Sequence, residues 1–337
     1  MTHTNSSDAR TLMRGVTVQH LRFRVQAQEH ILFENEPGSA LRGALYEALA
    51  GNFCSEAFGA PEALTPEHKA TCPVCWLLAA ENPSAGRGQN TPRPLTLQPP
   101  IDRYSFRRGE QFTFGVSLVG KAQDFLPYVA RAVQKMGRIG VGRGRGGFRL
   151  VTIDEVHPLL DAERTLMDGQ TVRRPTLQIA ADVVAQVAAQ MPTQAVTLEL
   201  LTPTRLTAGD ELVRRITPRI FMQRLLERCQ SLAEGYAEYP EGDTAPVRSE
   251  WVNAQDRLLA AADALTVGMD ETEWVEAFSG SRRTGRASPI SGLVGRMRWE
   301  GDVSAVLPWL LWGATLHVGK NAVKGSGYFR VIHPHLI

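Results

Sequence analysis

One stretch of this chain is written twice. Displaced by 181 positions, residues 116–151 lie on residues 297–332 without a gap, with seven identities in 36 positions. The coincidences fall where substitution is structurally costly: Gly120 on Gly301, Leu126-Pro127 on Leu307-Pro308, Gly144 on Gly325, Gly146 on Gly327, Phe148-Arg149 on Phe329-Arg330. Tyr128 meets Trp309, and Arg143 meets Lys324. A length of 337 residues suits two domains, or one domain duplicated.

Each copy reads in the same order. An alternating strand comes first (Phe112, Phe114, Val116, Leu118; then Leu293 and Val294 onward to Trp299). A helix follows with Pro127 or Pro308 in its first turn, where a missing N–H costs nothing. A glycine-rich loop then leads into a short strand (Phe148–Val156; Tyr328–Ile332). The first halves lie upstream. Val16–Val25 alternates as a strand, and Ser39 is the expected cap of a helix with Leu41, Ala44, Leu45, Ala48 and Leu49 inward. In the second copy Ala195–Leu201 is a strand, and Thr217 caps a helix with Ile220, Phe221, Leu225 and Leu232 inward. A helix around Leu258, Leu259, Ala262 and Leu265 has no counterpart in the first copy.

The expected fold class is therefore α+β: two tandem ferredoxin-like (split βαβ, RRM-like) domains. The first spans 1–157 and carries an insertion at about 53–100. Residues 158–194 are a linker with a helical stretch, Leu177–Met191, and 195–337 form the second domain. The proline- and glycine-rich residues 82–100 read as an extended connector.

Composition narrows the function. Hydrophobic content of 43% suits packed cores, and no run of about 18 apolar residues predicts a membrane span. The polar N-terminus lacks a secretory h-region, and four irregularly spaced cysteines are no disulfide framework, so a reducing cytoplasm is expected. The net charge is only +2, but the cations are gathered. Six basic residues fall between Arg131 and Arg149 and five arginines between Arg282 and Arg298, with no acid in either run. Lys320, Lys324 and Arg330 follow near the C-terminus. Such patches suit a polyanion held locally by an otherwise near-neutral protein; the plain alternative is solvated faces.

The two glycine loops, Ile139–Gly147 and Val318–Gly327, bring these cations close to permissive backbone. Successive N–H groups can form an anion-binding nest, with Arg143, Arg145, Lys320 and Lys324 adding phosphate-pairing charge around Gly325 and Gly327. Neither loop is a GxxxxGK[ST] P-loop or a dinucleotide fingerprint. Tight turns that need glycine for their dihedrals are the simpler reading of the glycines, though not of the basic residues.

At this point the chain resembles the CRISPR-associated endoribonucleases of the RAMP (repeat-associated mysterious protein) superfamily. The resemblance rests on Leu316-His-Val-Gly-Lys-Asn-Ala-Val-Lys-Gly-Ser-Gly-Tyr-Phe-Arg330 and on Ile290-Ser-Gly-Leu-Val-Gly-Arg296. Weaker echoes are Leu201–Leu206, Leu225–Arg228 and Gly38–Gly43. A Val-Lys pair stands before Gly325 where an aromatic is common in the family. The resemblance implies tandem ferredoxin-like domains that cut precursor CRISPR RNA within the repeat hairpin without a metal. The 2′-hydroxyl attacks the neighbouring phosphate, leaving a 2′,3′-cyclic phosphate and a 5′-hydroxyl. No catalytic cofactor is implied. The alternative is a RAMP subunit that binds CRISPR RNA beside other effector subunits and does not cut.

Such chemistry needs a base, an acid and cations around the phosphorane. The resemblance points to a histidine near the first helix, and His30 is the nearest; a loop histidine without a role is the competing reading. Arg42 and Tyr46 share one face of that helix, and His317 stands at the mouth of the second loop. Arg282, Arg283 and Arg286 read as a hairpin tip suited to an RNA groove. Within the insertion, Cys72-Pro-Val-Cys75 is a knuckle that Cys54 and His68 complete to a Cys₃His set for a structural zinc; reduced thiols without metal are the other reading.

Overall fold

The computed structural model describes residues 5–34, 36–54, 56, 65–79, 92–169, 171, 173–280 and 287–332. After helix α1 (Asn5–Leu12), the first repeat runs β1 (Val18–Ala27), β2 (Ile31–Leu32), α2 (Pro37–Phe53), α3 (Pro66–Thr71), β3 (Leu95–Gln98), β4 (Ser105–Phe106) and β5 (Gln111–Val119). It closes with α4 (Leu126–Ile139), β6 (Phe148–His157) and β7 (Ala162–Asp168). Helix α5 (Ala181–Ala189) leads to the second repeat: β8 (Ala195–Thr204), the ribbon β9 (Thr207–Ala208) and β10 (Glu211–Leu212), α6 (Pro218–Tyr236) and α7 (Arg248–Asp263). There follow β11 (Thr266–Val275), β12 (Phe278–Gly280), β13 (Ala287–Pro289), β14 (Gly292–Glu300), α8 (Leu307–Leu316) and β15 (Phe329–Ile332).

The sheets are ordered β3-β5-β1-β6-β7 and β11-β14-β8-β15, and every pairing is antiparallel. With β7 set aside, each reads second-third-first-fourth strand of its repeat, and both domains are ferredoxin-like. Register follows alternation: Phe23 faces Phe114 across β1 and β5, while Leu198 faces Met297 across β8 and β14. A one-residue slip would turn both apolar sets out of their cores.

The repeat helices share a start and differ in burial. Pro127 and Pro308 both occupy the first turn. Helix α4 is amphipathic, whereas α8 is buried nearly all round, including Trp309 and Trp312. A helix apolar on every side needs neighbours on every side. Here they are α1 and α5, which have no equivalents in the first repeat and whose Ala9, Leu12, Val184 and Val187 join the second domain's core. Residues from the chain's start therefore pack with its second half, across the expected boundary at 157.

Three local expectations need correction. Helix α2 begins at Pro37 with Glu36 as its cap, and the Ser39 hydroxyl makes no hydrogen bond among the described residues. Proline at the first helical position sets the start three residues early. Within the expected connector, Leu95–Gln98 is the edge strand β3, with Leu95 opposite Leu118. The prolines on either side hid a four-residue alternation. Residues 158–194 are more than a linker, because Ala162–Asp168 adds β7 to the first sheet. Thr217 does cap α6, accepting from the Ile220 N–H at 3.3 Å.

Candidate nucleic-acid interface

Helix α8 ends at His317, and the chain turns through Gly319 (φ 77°), Asn321 (66°), Gly325 (86°) and Gly327 (70°) before entering β15. A Cβ at Gly327 would lie 1.8 Å from the Val318 carbonyl oxygen, and one at Gly319 2.5 Å from that of Arg205. Dihedral and space both exclude a side chain. The N–H groups of Val318, Lys320, Lys324, Gly325, Ser326 and Gly327 are donated to protein carbonyls. Those six groups hold the loop's own shape and form no anion nest. What the loop offers a polyanion is charge, with Lys320 exposed and Lys324 half-buried.

This loop belongs to the second domain and is seated on the first. A Cβ on Gly38, in the first turn of α2, would meet the Lys324 carbonyl oxygen at 1.9 Å, and Gly325 lies against Pro99 just past β3. Val323 packs on the first domain's core. Thr202 of β8 locks the far side: its hydroxyl donates to the Gly325 carbonyl at 2.7 Å and accepts from the Tyr328 N–H. Helix α2 therefore presents its first turns beside the loop. One turn in, the Arg42 guanidinium lies 5.3 Å from the centre of the Tyr46 ring.

His317 is fully buried, with its ring stacked on Tyr328 at 5.0 Å. Its Nδ1 meets the Ser326 carbonyl at 3.2 Å, which fixes the proton there, and its Nε2 accepts from Gln98 of β3 at 3.2 Å. Gln98 also donates to Ser117 at 2.8 Å, and Ser117 bonds His20 Nδ1 at 2.8 Å. A buried polar chain thus crosses between the domains. Burial holds His317 well below the ordinary imidazole range, with the Arg228 charge acting in the same direction, and pushes His20 down to about 3, helped by His157. A neutral buried imidazole that bridges two domains does not reach a substrate in this conformation.

The first glycine loop stays within its own domain. Gly140, Gly142, Gly144 and Arg145 all have positive φ, and the Arg143 N–H donates to Leu32 of β2 at 2.7 Å. Both of its arginines are exposed and paired: Arg145 with Glu47 at 2.8 Å and Arg143 with Glu34 at 3.4 Å. Beside this loop, His30 is exposed and its Nε2 lies 3.0 Å from the Ser105 hydroxyl. Its carbonyl lies where a Cβ on Gly146 would need to be.

One residue that pattern reading passed over is Glu36. It caps α2 two residues before the Gly38 contact with the second loop, and burial pushes its carboxyl up to about 7. Nothing in the sequence marks it, since the shift arises from tertiary burial. Arg282, Arg283 and Arg286 lie outside the described residues; on either side of them β12 pairs with β13, Gly280 opposite Ala287. Cys54, His68, Cys72 and Cys75 come together, their ligand atoms all within 4.8 Å of one another.

Residues 198–329 match the family model of the CRISPR-associated endoribonuclease Cas6. The second domain of the chain carries a Cas6 endoribonuclease domain. Residues 16–178 match a second family model, AF_1859_N, described as an N-terminal domain. Among solved structures, a Cas6 product complex aligns at TM-score 0.54 with 15% identity, covering 94% of this chain and 99% of that one. Thermus thermophilus Cas6 aligns at 0.52 with 14% identity, covering 94% and 99%. A partial Cas6-RT-Cas1–Cas2 complex gives 0.57 with 12% identity, where 94% of this chain spans 46% of the matched chain. At such identities the likeness is one of fold. No curated protein matches the chain. Among the described residues no helix is long and apolar enough to cross a membrane.

Proposed function

We propose that this protein binds the hairpin of a CRISPR repeat and cuts precursor CRISPR RNA beside it. The reading is supported chiefly by the Cas6 model over residues 198–329, whose glycine loop sits on helix α2 of the other domain. In the proposed reaction the 2′-oxygen gives its proton to a base and forms a bond to the adjacent phosphorus. The bond from phosphorus to the 5′-oxygen breaks, and an acid protonates the leaving oxygen. The products are a 2′,3′-cyclic phosphate and a 5′-hydroxyl, and the reaction uses no catalytic metal.

His30 and Glu36 are the proton-handling groups of this proposal: the first is exposed, and the second has its pKa moved near neutrality. Lys320 and Lys324 hold the phosphate backbone, with Arg143 and Arg145 extending the basic surface. Arg42, steadied over the Tyr46 ring, faces the developing charge on phosphorus, and Tyr46 orients it. Gly325 and Gly327 hold the loop in the shape that presents Lys320 and Lys324. Arg282, Arg283 and Arg286 contact the stem.

The burial of His317 favours a second reading, in which a RAMP subunit binds CRISPR RNA among other CRISPR proteins and leaves cutting to another enzyme. The test is incubation with the repeat RNA of its own locus in a brief EDTA treatment, with product ends mapped. A single cut leaving a cyclic phosphate is expected. Tight binding without cleavage moves the protein to the subunit reading, and neither binding nor cleavage overturns both.

A further inference from the structure

We propose that Cys54, His68, Cys72 and Cys75 bind one zinc ion, which staples the inserted segment to helix α2. Cys54 Sγ lies 3.3 Å from His68 Nε2 and 3.8 Å from Cys75 Sγ. Tetrahedral zinc, with Zn–S of about 2.3 Å, sets its sulfurs about 3.8 Å apart. The other ring nitrogen, His68 Nδ1, lies 2.9 Å from a Glu56 carboxylate oxygen. That is the outer-shell arrangement that orients a metal-bound histidine and fixes its tautomer. None of the three cysteines is in a disulfide among the described residues. The four groups form a closed set with no open position, so the ion is structural.

The local chain explains why a metal is useful. Cys54 caps the C-terminus of α2, and Cys72 caps α3. Helix α3 has six residues, and the π-helical turn Cys75–Ala79 has five. Neither is long enough to be stable alone. Yet Val74, just before the turn, and Leu77 and Leu78 within it enter the first domain's core. Trp76 reaches the domain seam, 5.3 Å from the Phe125 ring and 5.3 Å from that of Tyr236 at the end of α6. A zinc ion here fixes one end of the helix whose other end meets the second glycine loop.

The test is metal analysis of full-length protein prepared without immobilised-metal chromatography, then cobalt replacement. About one zinc per chain is expected, and the cobalt form is expected to show a thiolate charge-transfer band. Cys72→Ser with Cys75→Ser should abolish both. Glu56→Gln should keep the cobalt signature but weaken zinc retention roughly 10–100-fold, as lost outer-shell partners do. If the cysteine variant fails to fold, the native chain still decides. A folded wild-type protein that takes up no zinc, or whose cobalt form lacks thiolate bands, overturns the proposal. Repeat binding is scored separately, so failure of the metal site leaves the RNA reading standing.

Discussion

The two glycine loops arise from one repeated pattern, and they do opposite things. Loop 140–147 folds back on its own domain, bridges β2 through Arg143 and Leu32, and ties both of its arginines to acids. Loop 318–327 leaves its domain and lodges against α2 and Pro99 of the other. Both use glycine for left-handed backbone, so the glycines do not distinguish them. What distinguishes them is what each backbone presses against.

The largest effect should come from testing that difference with one methyl group. At Gly327 a Cβ meets the Val318 carbonyl at 1.8 Å, whereas at Gly144 nothing lies within 4 Å, although both have positive φ. Gly144→Ala carries only the dihedral penalty of about 1–2 kcal/mol. Gly327→Ala adds a backbone collision and should cost roughly 3 kcal/mol or more in chemical denaturation. Equal losses at the two sites would show that the second loop can shift away from Val318.

RNA binding should separate the loops next. Replacing Lys320 and Lys324 together with alanine should weaken repeat RNA binding about tenfold or more, and lower the salt slope by about one per lost phosphate contact. Replacing Arg143 and Arg145 should do less, because the Cas6 match covers loop 318–327 and not loop 140–147. A larger loss from the arginine pair would reverse the assignment of the RNA face.

The contrast also shows which features a single sequence carries. Gly, Pro and aromatic coincidences gave the repeat, because those residues are dictated by local backbone. The Cys₃His set was readable too, because four residues of two rare types fall in one insertion. The seat of loop 318–327 on α2 was not readable, since Gly38 and Lys324 are ordinary residues until the domains meet. Nor was the burial of His317, whose partner Gln98 lies 219 residues away in sequence. A four-residue strand between prolines, β3, was lost to its flanks.

The buried histidine chain offers a pH test of the interdomain seam. His20 has its pKa depressed from 6.5 to about 3, so between those values the unfolded chain binds more protons than the folded one. Stability is therefore fully present above about 6.5 and falls progressively as the pH drops. His20→Gln should flatten this acid limb in thermal melts. Gln98→Ala, which strands His317 Nε2, should cost about 1–3 kcal/mol at neutral pH. An unchanged acid limb in the His20 variant would assign the loss to other groups.

The smallest effect, and the most informative for chemistry, concerns Glu36. Acids beside the first loop sit in ion pairs with its arginines; the acid beside the second has its pKa raised by burial, from 4.5 to about 7. In that interval the folded chain holds the proton that the unfolded chain has released, so this group makes stability decline as pH rises from about 4.5 to 7. Glu36→Gln removes that slope and should leave the protein slightly more stable at pH 8 and unchanged at pH 4. If Glu36 also moves a proton during cleavage, the same variant should lose one limb of the pH–rate profile while binding repeat RNA normally. A stability gain with an unaltered profile would make Glu36 a buried cap and leave the proton transfer to His30.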